Sequence, residues 1–247
     1  MSIHYDPIDP PGLRGTLREL RLPLDAVRWA ATWLTGPPQK RTVAAQPRTL
    51  MLLPGFGASP RSMWPMAAYL RGLGHQVHDW SLGRNTGQVP QLLPALLASV
   101  RALAQQAGQG VALVGWSLGG YLAREVAREV ARDLGRDQAA AVSQVITLGS
   151  PVIGGPRFTA VAPWYRLRGH DLAGMERAVA QRFDTPLQVP VTAVYSKRDG
   201  IVAWQACIDH GSPQVQHVEV SQSHLGVGVA PVVLAIVGKA LEQAKAG

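Results

Sequence analysis

The sequence predicts an α/β fold in which helices cover both faces of a mainly parallel sheet. From Arg48 onward, apolar runs of strand length alternate with longer segments of helical periodicity. The run at 111–115 is apolar almost without a break, which is typical of a strand buried on both faces. With 247 residues, 47% of them hydrophobic, the chain is long enough to bury such a sheet.

Taken in order, the predicted elements alternate regularly. Strands are predicted at "RTLMLLPG", "HQVHDWSL", "GVALVGWS", "VSQVITLGSP", "LQVPVTAVYS" and "VQHVEV". Helices are predicted at "SMWPMAAYLRGLG", "VPQLLPALLASVRALAQQAG", "LGGYLAREVAREVARDLG" and "APVVLAIVGKALEQAKA". Glycine closes the first three helices and proline lies near the start of the second, as helix-end preferences require.

Two regions depart from this alternation. Residues 1–45 precede it and are predicted to form an extended arm followed, at 17–34, by one or two short helices. These helices are predicted to cover an edge of the core. The alternative is a basic amphipathic segment on a membrane surface, but Glu19 and Asp25 dilute its basic face. Residues 46–247 form the α/β domain, and 152–186 are predicted to be an insertion with a helix near 171–183.

Composition restricts the partners and the location. The net charge is +8 and the pI about 10.2, but the arginines are scattered and sparse aromatics do not interleave with them, so we expect no nucleic-acid binding. The single cysteine, Cys207, permits no intramolecular disulfide. The first residues do not resemble a secretory signal and no apolar stretch reaches 18 residues. We therefore expect a cytoplasmic protein, with peripheral membrane contact through 17–34 as the alternative.

The stretch "LVGWSLGG" matches the pattern G-x-S-x-G at Gly115, Ser117 and Gly119. It lies between the clearest predicted strand and a predicted helix, which is where a nucleophile elbow occurs. Such an elbow needs small neighbours two residues on either side of the serine, because the backbone is crowded there. The pattern therefore predicts Ser117 as a nucleophile, against the alternative of an ordinary glycine-rich turn.

A serine hydroxyl needs a base, and the position of the histidines selects one. His224 follows the last predicted strand, whereas His217 lies inside that strand and is predicted to be a packing residue. His75 and His78 precede Ser117, which would break the order serine, acid, histidine.

The imidazole in turn needs a carboxylate, and Asp199 ends the predicted strand before a glycine turn. Two rivals are placed less well. Asp184 precedes its strand, at the wrong end of the sheet, and Asp209 falls in a helix predicted to start near Val202.

The loop "LLPGFG" follows the first predicted strand, and its glycine has a predicted role. Gly55 lets the backbone turn so that the N–H of Phe56 can face the site. Together with the N–H of Leu118, it would form an oxyanion hole, while the Phe56 ring would form an apolar wall.

The segments "LLPGFG", "VGWSLGG", "ITLGSP", "YSKRDGIVAW" and "SHLGVG" appear in an order that resembles the α/β-hydrolase superfamily, in particular bacterial serine lipases and esterases. The resemblance extends from Arg48 to about residue 240, and Pro54 stands where many members carry histidine. It implies an α/β-hydrolase fold, a triad of Ser117, Asp199 and His224, an oxyanion hole from Phe56 and Leu118, and a small cap at 152–186.

The function that follows is hydrolysis of carboxylic esters with apolar acyl groups, small-molecule or lipid, through an acyl-enzyme. Trp64, Asn85, Trp116 and Trp164 are the candidate substrate-binding residues. Acyl transfer to an alcohol is the nearest alternative, because Trp64, Trp116 and Phe56 could exclude water. A non-catalytic binding protein on the same fold is a more distant one. We expect no metal, because no ligand cluster has usable spacing, and no cofactor.

Overall fold

A computed structural model of the chain describes residues 8–12, 15–16, 19, 43–133, 141–167, 171–183 and 185–243. At 133, 164, 178 and 181–183 it describes the backbone alone. The helices predicted at 17–34 lie outside this part of the chain except for single positions, and Asp184 lies outside it as well.

The described chain contains one six-stranded parallel sheet. Its strands are β1 (Thr49–Leu53), β2 (Gln76–Asp79), β3 (Val111–Trp116), β4 (Val142–Leu148), β5 (Val191–Ser196) and β6 (Val215–Val220). They lie side by side in the order β2-β1-β3-β4-β5-β6. All six strands fall within the segments predicted from the sequence, and the α/β-hydrolase fold class is confirmed.

Helices connect the strands and cover the sheet. The α-helices are α1 (Trp64–Gly72), α2 (Val89–Ala107), α3 (Leu118–Asp133), α4 (Ala162–Leu167), α5 (Leu172–Phe183), α6 (His224–Val229) and α7 (Pro231–Gln243). Short 3₁₀ helices occupy Pro60–Met63, Gly155–Phe158 and Trp204–Cys207. Gly108 ends α2 in the left-handed conformation, at a φ of 63°, as the predicted glycine stop requires.

Alternation along each strand divides the core between the two faces of the sheet. On β1, Leu50 and Leu52 pack with apolar residues of α1 and α7, while Met51 and Leu53 pack with residues of α2 and α3. The central strands contribute residues to the apolar clusters on both faces of the sheet. Their sequences are therefore apolar nearly throughout and do not alternate between apolar and polar residues.

The strand order changes direction between β1 and β3, and this places the site. The chain moves from β1 outward to β2, then returns to the other side of β1 for β3. The loops at the carboxyl ends of β1 and β3 therefore leave a crevice between them. Residues 152–186, the cap segment, leave the same end of the sheet after β4 and contain α4 and α5.

Candidate active site

The turn from β3 to α3 holds Ser117 in a strained conformation. Ser117 has a φ of 53°, in the left-handed region that residues with a side chain rarely adopt. A Cβ atom on Gly119 would overlap the carbonyl oxygen of Leu53, and one on Gly115 would overlap the backbone of Gly119. The backbone N–H of Ser117 donates to the carbonyl of Leu148 at 2.8 Å. The glycine pattern thus fits the close approach of β1, β3 and α3, as the sequence predicts for an elbow.

Asp199 and His224 meet across two loops. The Nδ1 atom of His224 lies 2.7 Å from Oδ2 of Asp199, and both side chains are buried. The other carboxylate oxygen, Oδ1, accepts hydrogen bonds from the N–H groups of Ile201 at 2.8 Å and Val202 at 2.7 Å. Since a carboxylate only accepts, Nδ1 of His224 carries the proton of this contact, and Nε2 is left as the basic nitrogen.

Burial and charge act in opposite directions on His224. Desolvation lowers the pKa of the imidazole, but the charge and hydrogen bond of Asp199, together with the charge of Glu19, outweigh burial and raise it above the ordinary value. His224 is the first residue of α6, where the Ser223 side chain accepts from the N–H of Gly226. The indole N–H of Trp116 donates to the carbonyl of His224 at 3.2 Å. Asp199 thus holds the ring of His224, and Trp116 holds its backbone carbonyl.

Two further residues contact the Asp199–His224 pair, and the sequence analysis did not single them out. Glu19 is only 8% exposed and accepts hydrogen bonds from the backbone beside both members. Gly149 has a φ of 56°, and a Cβ there would lie 3.0 Å from Oδ2 of Asp199 and 3.3 Å from Nδ1 of His224. The signal for Gly149 was present in "ITLGSP", whereas Glu19 gave only an acidic residue in a basic segment.

The loop after β1 passes directly against the elbow. A Cβ on Gly55 would lie 3.2 Å from Cβ of Ser117, so the absence of a side chain allows this approach. The Phe56 ring packs on Tyr165 of the cap segment, with centroids 5.5 Å apart. Gly87 lies against both side chains, because a Cβ there would come within 2.7 Å of the Phe56 ring and of the Tyr165 hydroxyl oxygen. The oxyanion role of the Phe56 and Leu118 N–H groups remains a prediction.

A cavity of about 340 Å³ opens at the carboxyl end of the sheet. Its lining brings together Ser117, Leu118, His224, Phe56 and Trp116, which the sequence analysis assigned to one site. The cap segment contributes apolar walls to the same cavity: Pro156, Val161, Tyr165, Met175 and Val179. Asp199 is not in the lining, because it lies behind His224. The arrangement can hold an apolar group against a serine and a histidine.

Asn85 and Trp64, predicted to bind substrate, do not line this cavity. Asn85 is fully buried, and its amide bridges the carbonyl of Pro54 at 2.8 Å and the N–H of Gly87 at 3.1 Å. It therefore shapes the loop that carries Phe56. Trp64 begins α1 and is 66% exposed, on the outer side of that helix. The Trp164 side chain lies outside the described part of the chain, so its role stays a prediction.

The prediction that Asp209 lies in a helix starting near Val202 is wrong. Asp209 follows the short 3₁₀ helix Trp204–Cys207. Its carboxylate pairs with the buried Arg124 of α3 at 2.7 Å, and its N–H donates to Nε2 of His217. Burial alone would raise the pKa of Asp209, but Arg124 and the hydrogen bonds to Ser212 and its neighbours lower it to about 2. Asp209 is thus held as a carboxylate away from the cavity.

Within the part of the chain that the structure describes, no three histidine, cysteine or acidic residues lie close enough to hold a metal ion. The described helices also include none with the length and apolarity needed to cross a membrane.

Comparison with known proteins identifies the family. The sequence profile of the alpha/beta hydrolase family matches residues 50–241. No curated protein sequence matches the chain. A lipase from Bacillus licheniformis has a similar structure, with a TM-score of 0.63, 14% identity, and coverage of 80% of this chain and 95% of that one.

An esterase from Pyrococcus furiosus gives a TM-score of 0.58 at 17% identity, covering 81% of this chain and 84% of that one. The type II thioesterase of the borrelidin biosynthetic cluster gives 0.53 at 21% identity, covering 82% and 94%. At these identities the structures show a shared fold, and the family match covers most of the chain. The chain belongs to the alpha/beta hydrolase family.

Proposed function

We propose that this protein is a serine ester hydrolase that acts on carboxylic esters with apolar acyl groups. One observation carries the proposal: His224, held 2.7 Å from the buried Asp199, lines the same apolar cavity as a serine with a φ of 53°. A strained serine and an oriented histidine in one cavity are the groups that nucleophilic acyl transfer needs.

In the proposed mechanism, Oγ of Ser117 attacks the acyl carbon while Nε2 of His224 takes the hydroxyl proton. Asp199 stabilises the imidazolium that forms, and the N–H groups of Phe56 and Leu118 receive the developing oxyanion. The tetrahedral intermediate collapses as His224 returns the proton to the leaving alkoxide, which departs as the alcohol. Water, activated by the same imidazole, then attacks the acyl-enzyme, and the carboxylic acid leaves Ser117.

The cavity favours an apolar acyl group because its walls from the cap segment are mostly aliphatic or aromatic. Each methylene buried there contributes about 0.8 kcal/mol. Of the three residues that could exclude water and so favour acyl transfer, Trp64 lies outside the cavity lining. Phe56 and Trp116 remain in the lining, so product ratios still have to be measured.

A fluorophosphonate probe tests the proposal directly. We expect one covalent adduct on Ser117, found by peptide mass spectrometry, together with loss of hydrolysis of p-nitrophenyl butyrate. Ser117→Ala should show neither labelling nor hydrolysis. Ser99→Ala, which loses only a hydrogen bond to the carbonyl of Ala95 within α2, should keep both. Labelling at another residue with full loss of activity would contradict the assignment.

A substrate panel then defines the reaction. We expect p-nitrophenyl esters from C2 to C16, assayed with and without micelles, to show a preference for medium or long chains. A matched acyl thioester serves as a second acyl donor. Added alcohol should leave the free acid as the main product, and a dominant transesterified product would favour acyl transfer instead.

A further inference from the structure

Glu19 makes contacts that the family resemblance does not explain, since it lies before the matched residues. Its Oε1 atom accepts from the N–H of Gly200 at 2.9 Å and from the N–H of His224 at 2.8 Å. Its Oε2 atom accepts from the N–H of Leu225 at 3.1 Å. A single buried carboxylate thus joins the loop that carries the acid to the turn that carries the base.

The chain around Glu19 fits the same loop. The hydroxyl of Thr16 donates to the carbonyl of Gly200 at 3.2 Å. A Cβ on Gly200 would overlap the carbonyl oxygen of Gly15, so the two backbones are in direct contact. Ile8, further toward the start of the chain, packs on a small apolar cluster that includes Ala203. The contact at Glu19 is therefore part of an extended packing surface.

We propose that Glu19 is a positioning residue that fixes His224 relative to Asp199 and adds negative charge behind the imidazole. The proposal rests on the proposed function, because it assigns Glu19 to the support of that acid and base. Three backbone N–H groups around one carboxylate are charge-assisted hydrogen bonds, which are shorter and stronger than neutral ones. Without the carboxylate, three backbone donors, two of them in buried contacts, would lose their acceptor.

The charges that face His224 give the proposal a specific consequence. Asp199 approaches from the end of β5 and Glu19 from the first residues of the chain, and both raise the pKa of His224 against the effect of burial. Cys207 lies near Asp199 but stays neutral, because burial and then the Asp199 charge raise the pKa of its thiol well above the ordinary value. Removing the Glu19 charge should therefore lower the pKa of His224.

The test compares Glu19→Gln, Glu19→Asp and Thr16→Val with the full-length wild type. Glu19→Gln keeps the volume but removes the charge and one acceptor. We expect kcat to fall by roughly tenfold to hundredfold with KM within about twofold, because the base is misplaced rather than the substrate pocket. The part of the pH profile in which kcat rises with pH, as His224 loses its proton, should move to lower pH. Thr16→Val, which loses only the bond to Gly200, should change neither.

NMR titration of isotopically labelled histidine measures the pKa of His224 without any substrate, so it separates this proposal from the proposed hydrolase activity. A lower His224 pKa in Glu19→Gln, with the wild-type pKa kept in Glu19→Asp, supports the proposal. If Glu19→Gln does not fold, Glu19→Asp alone decides. A reduced kcat whose rise with pH occurs at the same pH as in the wild type supports the proposal. A wild-type kcat, or an unchanged His224 pKa in folded Glu19→Gln, overturns it.

Discussion

The nucleophile side and the acid–base side of the candidate site are held by different means. Ser117 is constrained by its own neighbours, since glycines at 115 and 119 allow β1, β3 and α3 to crowd around it. Asp199 and His224 are instead joined through Glu19, which is 181 residues from Gly200 and 205 from His224 in the sequence. One side is built from a contiguous motif, and the other depends on a distant segment.

The serine turn is strained, whereas the acid–base pair depends on the relative position of two loops. The elbow stores strain at a φ of 53°, and the surrounding backbone must be rigid to keep it. The acid–base pair carries no such strain but needs two loops to stay in register, and hydrogen bonds to backbone N–H groups supply that register. We therefore expect substitutions of the elbow glycines to act on folding, and substitutions on the acid–base side to act on rate.

The largest effect is expected for Asp199→Asn. The amide can present its N–H₂ group to Nδ1 of His224, which would favour the tautomer with its proton on Nε2 and remove the base. We expect kcat to fall by about 10⁴, the magnitude typical of losing the acid of a Ser-His-Asp triad. Steady-state hydrolysis of p-nitrophenyl butyrate measures it, with circular dichroism to show that the fold is intact. A rate near that of wild type would move the acid elsewhere, with Asp184→Asn as the next variant.

Asp209→Asn is the matched control, because the Asp209 side chain is as buried as that of Asp199 but pairs with Arg124. We expect its kcat to stay near wild type while the free energy of unfolding falls by roughly 3 kcal/mol, as for a broken buried ion pair. The pKa of Asp209 is lowered from 3.8 to about 2 in the fold, so its stabilisation is present above pH 3.8 and is lost as pH falls through 2. The stability difference between the two proteins should therefore shrink below pH 4.

Gly119→Ala tests the elbow side. The added Cβ would overlap the carbonyl oxygen of Leu53, so β1 and α3 would have to move apart. We expect a loss of more than about 2 kcal/mol, seen as a fall in Tm of at least about 5 °C or as insoluble protein. Gly57→Ala is the control: its φ is 70° but nothing lies within 4 Å of the added atom, so only backbone strain of about 1 kcal/mol is expected. Equal losses in both variants would show that crowding at the elbow is unimportant.

Much of the fold could be predicted because its signals are local. Each strand of the sheet is an apolar run closed by a turn residue, and Ser117 sits in a pattern that is five residues long. The positions of Asp199 and His224 followed from the ends of two strands and from the order of the motifs. These features need no knowledge of which distant segments meet.

The missed features depend on long-range contact or on side-chain direction. Glu19 entered the sequence analysis only as an acidic residue on a basic face, because nothing near it in sequence indicates the N–H groups from which it accepts hydrogen bonds. Trp64 and Asn85 were assigned to the pocket by residue type, but α1 turns Trp64 outward and the loop after β2 buries Asn85. Composition can predict that aromatic and amide groups lie near a site, but not which way they point.

The smallest effect concerns the cap segment, which extends the comparison to the substrate. Met175 of α5 lines the cavity, whereas Leu167 of α4 is 86% exposed in the same segment. Met175→Ala removes apolar contact with the far part of an acyl chain, and about 1.4 kcal/mol of lost contact lowers kcat/KM roughly tenfold. We expect this loss for C8–C12 esters and little change for acetate esters, because an acetyl group has no methylenes to bury against the cap segment. Leu167→Ala should change neither. An equal loss on acetate and on C8–C12 esters would mean that Met175 supports the structure of the site and does not bind the acyl chain. The cap segment would then affect the reaction rate, as the acid–base side does, and not the choice of substrate.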